Sequence, residues 1–279
     1  MHVARTAESA RSIARALPHP LGFVPTMGAL HGGHLRLVER AGAENAAVAA
    51  SIFVNPLQFG PHEDFARYPR AFDRDCETFE RAGVSLVYAP SVEAMYPPRF
   101  STSVNPGAVA NRLEGVFRPG HFTGVATVVL KLVHAIEPAT VYLGQKDAQQ
   151  AAVLRAIAKD LDLAVSIVVV PTVREDDGLA LSSRNAYLSP EQRAAAPSLH
   201  RALAHIACAV ASGERNVANL LVQARGLLAS PLAWEYLEIV DPQTFEPAAG
   251  FEAPALAVAA VRAGPTRLLD NEPIVWSAN

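Results

Sequence analysis

Cysteine is nearly absent: Cys76 and Cys208 are the only two among 279 residues, and neither sits in a CxxC or Cys/His ligand spacing. One disulfide is formally possible, but two buried thiols in a reducing compartment is the simpler reading, and the spacing argues against a structural zinc site. Long apolar runs are also missing, since no stretch of about eighteen apolar residues is available to span a bilayer. Basic residues do not dominate. Lys and Arg number 24 against 27 Asp and Glu, for a formal charge of −3, so no global basic field draws nucleic acid. A few cations in a cleft can still hold a phosphate. Internal repeats and low-complexity tracts are absent as well.

Half of the residues are hydrophobic and 18% are charged, a balance that suits a globular chain with a sizeable core and not a disordered one. The length predicts one large or two modest domains. The opening 1–17 is amphipathic and Arg-bearing, like an organelle transit peptide. It also carries Glu8 and runs straight into the first strand pattern, so an ordinary first helix and a cytoplasmic protein are expected.

Short apolar runs alternate with helical patterns through the first half, which predicts parallel strands joined by crossover helices. Strands are expected at 21–26, 48–54, 84–89, 140–143 and 165–170, with helices near 35–43, 72–82, 122–136 and 149–161. The run 165–170, β-branched at every position but Ser166, is expected to be a strand covered on both faces. After Pro171 the composition changes. A polar loop, REDDGLALSSRN, leads to a helix start with Ser189 as N-cap and Pro190 at the first helical position. Pro197 should interrupt that helix. A second helix at 216–229 and strands at 234–240, 255–261 and 267–270 complete a smaller part with a mostly antiparallel sheet. The reading is α/β: a Rossmann-like doubly wound parallel sheet over 1–172 and a smaller α+β lid domain over 173–279.

The strongest local signal is FVPTMGALHGGHLRLVERA at 23–41. A strand ends at Thr26, Gly28 permits a sharp turn, and Gly32-Gly33 lead into a helix expected near His34. Free backbone N–H groups and the helix dipole favour anions at such a junction. Neither GxGxxG nor GxxxxGK[ST] occurs there, so dinucleotide and P-loop readings fail on their own residues. His31 and His34 stand three apart, and both can face one bound group and donate to phosphate oxygens that gain charge. One histidine near a helix start is usually a cap or a surface residue. Two of them around Gly-Gly after a buried strand reverse those odds without naming a substrate.

HGGH fits the HxGH signature of the nucleotidylyltransferase superfamily, and PTMGALHGGH resembles the pantothenate synthetase (pantoate–β-alanine ligase) family. Four more blocks resemble it in order: VNPLQFGPHEDFARYPR at 54–70, LEGVFRPGHFTGVATVVLKL at 113–132, YLGQKDAQQ at 142–150 and REDDGLALSSRNAYLS at 174–189. TRLLDN at 266–271 looks like that family's C-terminal block. Leu143 stands where an aromatic is common and His134 where Asn or Gln is, and neither change removes a functional residue.

The resemblance implies an AMP-forming ligase that joins pantoate to β-alanine with Mg-ATP through a pantoyl adenylate. A carboxylate is a poor electrophile, because attack by an amine must expel an oxide; an adenylate supplies AMP as leaving group. By resemblance His34 is the proton donor, with His31, Lys146 and Arg184 also catalytic. Lys146 follows a strand end, where ligands of parallel sheets bind, although an isolated lysine is by default solvated. Ser182, Ser183 and Arg184 resemble a phosphate clamp able to close over ATP; a polar loop would look the same. The ATP site is expected to include Met27, Gly28, Ala29, Leu30, His31, Gly32, Gly33, His34, Gly144, Gln145, Lys146, Asp147, Val173, Leu181 and the clamp.

Gln58 and Gln150 are the pantoate candidates, since an amide both donates and accepts. Val128 and Val129, with Pro25 and Met27, offer apolar contacts for its methyl groups, and core packing is an equal reading for the valines. Tyr68, Arg70, Arg118 and His121 are expected along the substrate wall. Asp73 and Asp75 can touch magnesium, with a solvated helix face the commoner outcome for such a pair. A homodimer is implied by the resemblance.

The rival readings are another adenylyl- or cytidylyltransferase on the same fold, disfavoured by the Gln58, Gln150 and SSRN blocks, and an inactive nucleotide-binding regulator, disfavoured by the presence of His34, Lys146 and Arg184. An aminoacyl-tRNA synthetase would need a basic anticodon-binding region that this chain lacks.

Overall fold

The computed structural model describes residues 1–61, 63–251 and 253–275. His62, within the block at 54–70, lies outside the described residues. The chain divides into two compact units. One comprises Met1–Gly144 with Val153–Pro171, and the other Gln145–Ala152 with the chain from Thr172 on.

The first unit is built on six strands: β1 (His2–Ala4), β2 (Leu21–Thr26), β3 (Ala47–Ile52), β4 (Leu86–Tyr88), β5 (Thr140–Gly144) and β6 (Ser166–Val170). All neighbours are parallel, in the order β1-β4-β3-β2-β5-β6. The order reverses direction at β2, so the crevice past the carboxyl ends of β2 and β5 is a topological switch point, where open α/β sheets bind ligands. Pro25 fits within this central strand because β5 pairs with β2 only at Gly22 and Phe23, leaving Pro25 beyond that ladder.

The helices are α1 (Ala7–Ala16), α2 (Gly32–Glu44), α3 (Phe72–Arg81), α4 (Val92–Met95), α5 (Glu114–Phe117), α6 (His121–Ile136) and α7 (Ala148–Asp160), which begins in the second unit and ends in the first. Val24, Val38, Ala41, Val48, Phe79, Val87 and Tyr142 form a core on one face of the sheet. The expected first helix is corrected at its start. Residues 2–4 are extended because they pair with Leu86–Tyr88, and the helix opens only after Thr6, whose side chain caps Ser9 N–H at 3.2 Å.

The second unit carries α8 (Pro190–Ala195), α9 (Pro197–Ala211) and α10 (Val217–Arg225), then β7 (Ala233–Val240), β8 (Ala255–Ala263) and β9 (Thr266–Ile274) in one antiparallel sheet. Pro197 does divide the helical stretch, but the backbone stays right-handed at Ala196 and Pro197 becomes the first residue of α9, where its missing N–H costs nothing. Leu199, Leu203, Ile206 and Val210 of α9 lie in one core cluster with Leu237, Ile239, Ala257, Ala259 and Val261 of the sheet.

Candidate active site

Helix α2 starts at Gly32, two residues before the expected start, with His31 as its extended N-cap (φ −139°, ψ 175°). The two imidazoles cap each other's backbone. Gly33 N–H donates to His31 Nδ1 at 3.2 Å, and His31 N–H donates to His34 Nδ1 at 3.3 Å. The ring centroids are 4.1 Å apart. A ring nitrogen that accepts from an amide cannot carry the proton of a neutral imidazole, so this bonding assigns both protons to Nε2. Both rings therefore have a defined donor nitrogen on the edge away from the helix backbone.

The loop before them departs from the sequence expectation. Its backbone N–H groups are not free for an anion. Gly28 N–H donates to Thr26 Oγ1 at 3.1 Å, while Ala29 and Leu30 N–H donate to the two oxygens of Asp75 at 2.8 and 3.0 Å. Asp75 sits in the first turn of α3 and is 3% exposed, which corrects the solvated-face reading; its neighbour Asp73 is exposed. The loop runs left-handed at Gly28 (φ 83°) and Ala29 (φ 53°). A Cβ on Gly28 would come within 2.8 Å of Asp75 Oδ2, so glycine is required there on space as well as on φ.

Gln58 ends the 3-10 turn Pro56–Gln58, which Asn55 caps. Asn55 is buried, donates to Gln58 Oε1 at 3.0 Å and to Gly124 O at 3.1 Å, and accepts from Tyr96 Oη at 2.7 Å. With Oε1 engaged, the Gln58 NH2 group donates to Met27 Sδ at 3.2 Å. The turn and α6 touch at Gly124, where an added Cβ would lie 2.3 Å from Leu57 O and 2.7 Å from Gln58 N.

Arg118 reaches Glu63 with two donors at 2.7 Å, and donates to Gln58 O at 3.3 Å. His121 Nδ1 donates to Gln58 O at 2.8 Å, which leaves Nε2 to accept from Arg118 Nη1 at 3.0 Å. Burial and the neighbouring guanidinium push the His121 pKa down to about 4. Burial opposes the ionised form of Glu63, but the Arg118 hydrogen bonds and charge win and hold its pKa below the usual range. Tyr68 is buried, and Arg70 is spent locally on the carbonyls of Tyr68 and Phe65. Val128 and Val129 are buried on α6.

In the second unit, Gln145–Asp147 form a 3-10 turn carrying Lys146. Asn271 of β9 holds it, donating from Nδ2 to the carbonyls of Gln145 and Lys146 at 2.8 and 3.0 Å. Lys146, Ser182, Arg184, Asn185, His200 and Asp270 line one cavity. Ser182 caps the turn Ser183–Tyr187 by accepting from Arg184 N–H at 3.3 Å. Leu181 N–H donates to Val173 O at 3.0 Å, which brings those two predicted residues side by side. Arg174 pairs with the buried Asp270 at 2.6 Å. Asp147 is exposed, and Gln150 is half-buried in the first turns of α7.

The family model for pantoate-beta-alanine ligase matches residues 2–273. The chain belongs to the pantoate–β-alanine ligase family. A pantothenate synthetase of Chloroflexus aggregans is 56% identical over 97% of this chain and 99% of its own length. The crystal structure of the pantothenate synthetase from Thermus thermophilus superposes with a TM-score of 0.94, at 49% identity over 98% of this chain and 99% of that one. The pantoate–β-alanine ligase of Francisella tularensis, solved in complex with beta-gamma ATP and β-alanine, gives a TM-score of 0.81 at 33% identity, covering 98% of this chain and 97% of that one.

In this ligase-family chain, Met27 to His34 and Gln58 gather past the end of β2, while Lys146, Ser182 and Arg184 gather around the cavity of the second unit. Gly144 closes β5. Sequence reasoning missed the loop-holding role of Asp75 and the parts played by Asn55, Glu63 and Asn271. For Asn55 a signal was present, since Asn before Pro is a common turn opener. The other three act across long stretches of sequence and leave no local mark.

Proposed function

We propose that this protein condenses pantoate with β-alanine at the expense of ATP, releasing AMP and pyrophosphate. In the first step the pantoate carboxylate attacks the α-phosphorus, the bond to the β-phosphate oxygen breaks, and pyrophosphate leaves. In the second the β-alanine amine attacks the acyl carbon, AMP leaves with the bonding pair, and the amine loses a proton. Family membership and the paired imidazoles support this reading, and the observation that carries it is the reciprocal capping of His31 and His34. It fixes the proton of each ring on Nε2, so two defined N–H donors stand side by side without reorganisation at the moment charge develops on the phosphates.

His34 serves as the principal donor, with His31 beside it. Lys146, Ser182, Ser183 and Arg184 neutralise and clamp the phosphates, and residues 27–34, 144–147, Val173 and Leu181 line the nucleotide. Gln58 and Gln150 bind the hydroxyls and carboxylate of pantoate. Magnesium enters with ATP and offsets the charge of its phosphates. The active species is a homodimer.

The test is incubation with ATP, magnesium, pantoate and β-alanine. AMP and pyrophosphate are expected only when pantoate is present, and pantothenate only when the amine is added. Formation of ADP would overturn the adenylate route, because it implies an acyl phosphate.

A further inference from the structure

We propose that Asp75 is a positioning residue for nucleotide binding: its carboxylate occupies the anion nest made by the Ala29 and Leu30 N–H groups and thereby fixes residues 27–30 in the shape that receives ATP. The inference rests on reading that loop as part of the ATP site. Two successive amides converging on one anion form a nest of the kind that phosphates occupy. Here the anion belongs to the protein, is 3% exposed and bonds one oxygen to each amide, at 2.8 and 3.0 Å.

The loop it holds would not keep this shape unaided. Ala29 lies at φ 53°, a region that residues with a Cβ seldom adopt unless the surroundings impose it. Gly28 leaves the space that the carboxylate fills, since a Cβ there would come within 2.8 Å of Oδ2. Carboxylate and glycine are matched to each other. Bound ATP then has no claim on these two amides, and on this side its phosphates are met by the imidazole Nε2–H groups.

The experiment is Asp75→Ala, with ATP affinity measured by calorimetry and KM measured for all three substrates. Loss of two charge-assisted hydrogen bonds should weaken ATP binding at least about tenfold. The KM values for pantoate and β-alanine should stay within about twofold. Formate, a carboxylate small enough for the vacated nest, should restore ATP affinity in the variant and leave the unmodified protein unchanged. A folded variant with unaltered ATP affinity would overturn the proposal. So would parallel losses for all three substrates with no response to formate, which is what a merely structural residue would give. If the alanine variant does not fold, Asp75→Asn decides. Its NH2 group opposes one of the two amide donors, so ATP affinity must fall without rescue, and undiminished affinity would sink the idea. A wild-type protein that binds ATP but releases no AMP in the presence of pantoate would count against the functional reading instead.

Discussion

Alanine in place of His34 or Lys146 should slow adenylate formation by about a hundredfold or more while leaving the circular dichroism spectrum unchanged; single-turnover AMP formation is the measurement. Full activity in either variant would remove that residue from the mechanism. His121 makes a different prediction. Its pKa near 4 in the folded chain lies below the unfolded value of 6.5. Between those values the unfolded chain binds the extra proton and the folded one does not, so stability rises with pH across this window. The loss on going from neutral pH to about 4 approaches ~3 kcal/mol. The urea midpoint should fall steadily over that range, and His121→Asn should flatten the slope. At this scale the sequence singled out His31, His34 and Lys146 because each stands in a short contiguous string, and the structure sets the two imidazoles side by side and Lys146 in a cavity wall. Asp75 was misread because its role depends on a loop 46 positions away, and an acidic residue in a helical first turn looks solvated from sequence alone.

Helix α6 meets the Pro56–Gln58 turn backbone to backbone, so Gly124→Ala must push the two apart. Expected costs are about 1–3 kcal/mol in stability and a rise in the KM for pantoate larger than that for ATP, because Gln58 rides on that turn. Equal changes in both would argue that Gln58 does not contact pantoate. At the start of α8, Ser189 Oγ accepts from Gln192 N–H at 3.2 Å while Ser189 N–H donates to Gln192 Oε1 at 3.0 Å. Ser189→Ala should therefore cost about 1 kcal/mol in thermal or chemical denaturation. Elements with a full apolar period or a β-branched run, such as α6 and β6, were legible from residue pattern alone, although β6 proves to be the edge strand of the sheet and not one covered on both faces, and α9 beyond Pro197 was not foreseen. Strand β1, with three residues, and helices α4 and α5, with four each, are too short for any period to register.

For the whole molecule, the core cluster of the second unit draws every member from residues 179–274. A fragment spanning 172–279 is thus expected to unfold cooperatively on its own, as followed by a thermal scan; a featureless melt would show that residues 145–152 are needed to complete it. The parallel direction of the large sheet's strands was readable because alternating strands and helices call for crossover connections, whereas the strand order was not. The allotment of 145–152 was not, since nothing in YLGQKDAQQ marks a change of partner halfway along. Asn271, which holds the backbone of Gln145 and Lys146 from the far end of the chain, gives this arrangement a genetic consequence. A stop codon replacing that of Asn271 would spare every string on which the resemblance first rested, except the last residue of TRLLDN. Yet it would take away the side chain that sets the lysine's turn, so such an allele should behave as a loss of function even though residues 1–270 are all translated.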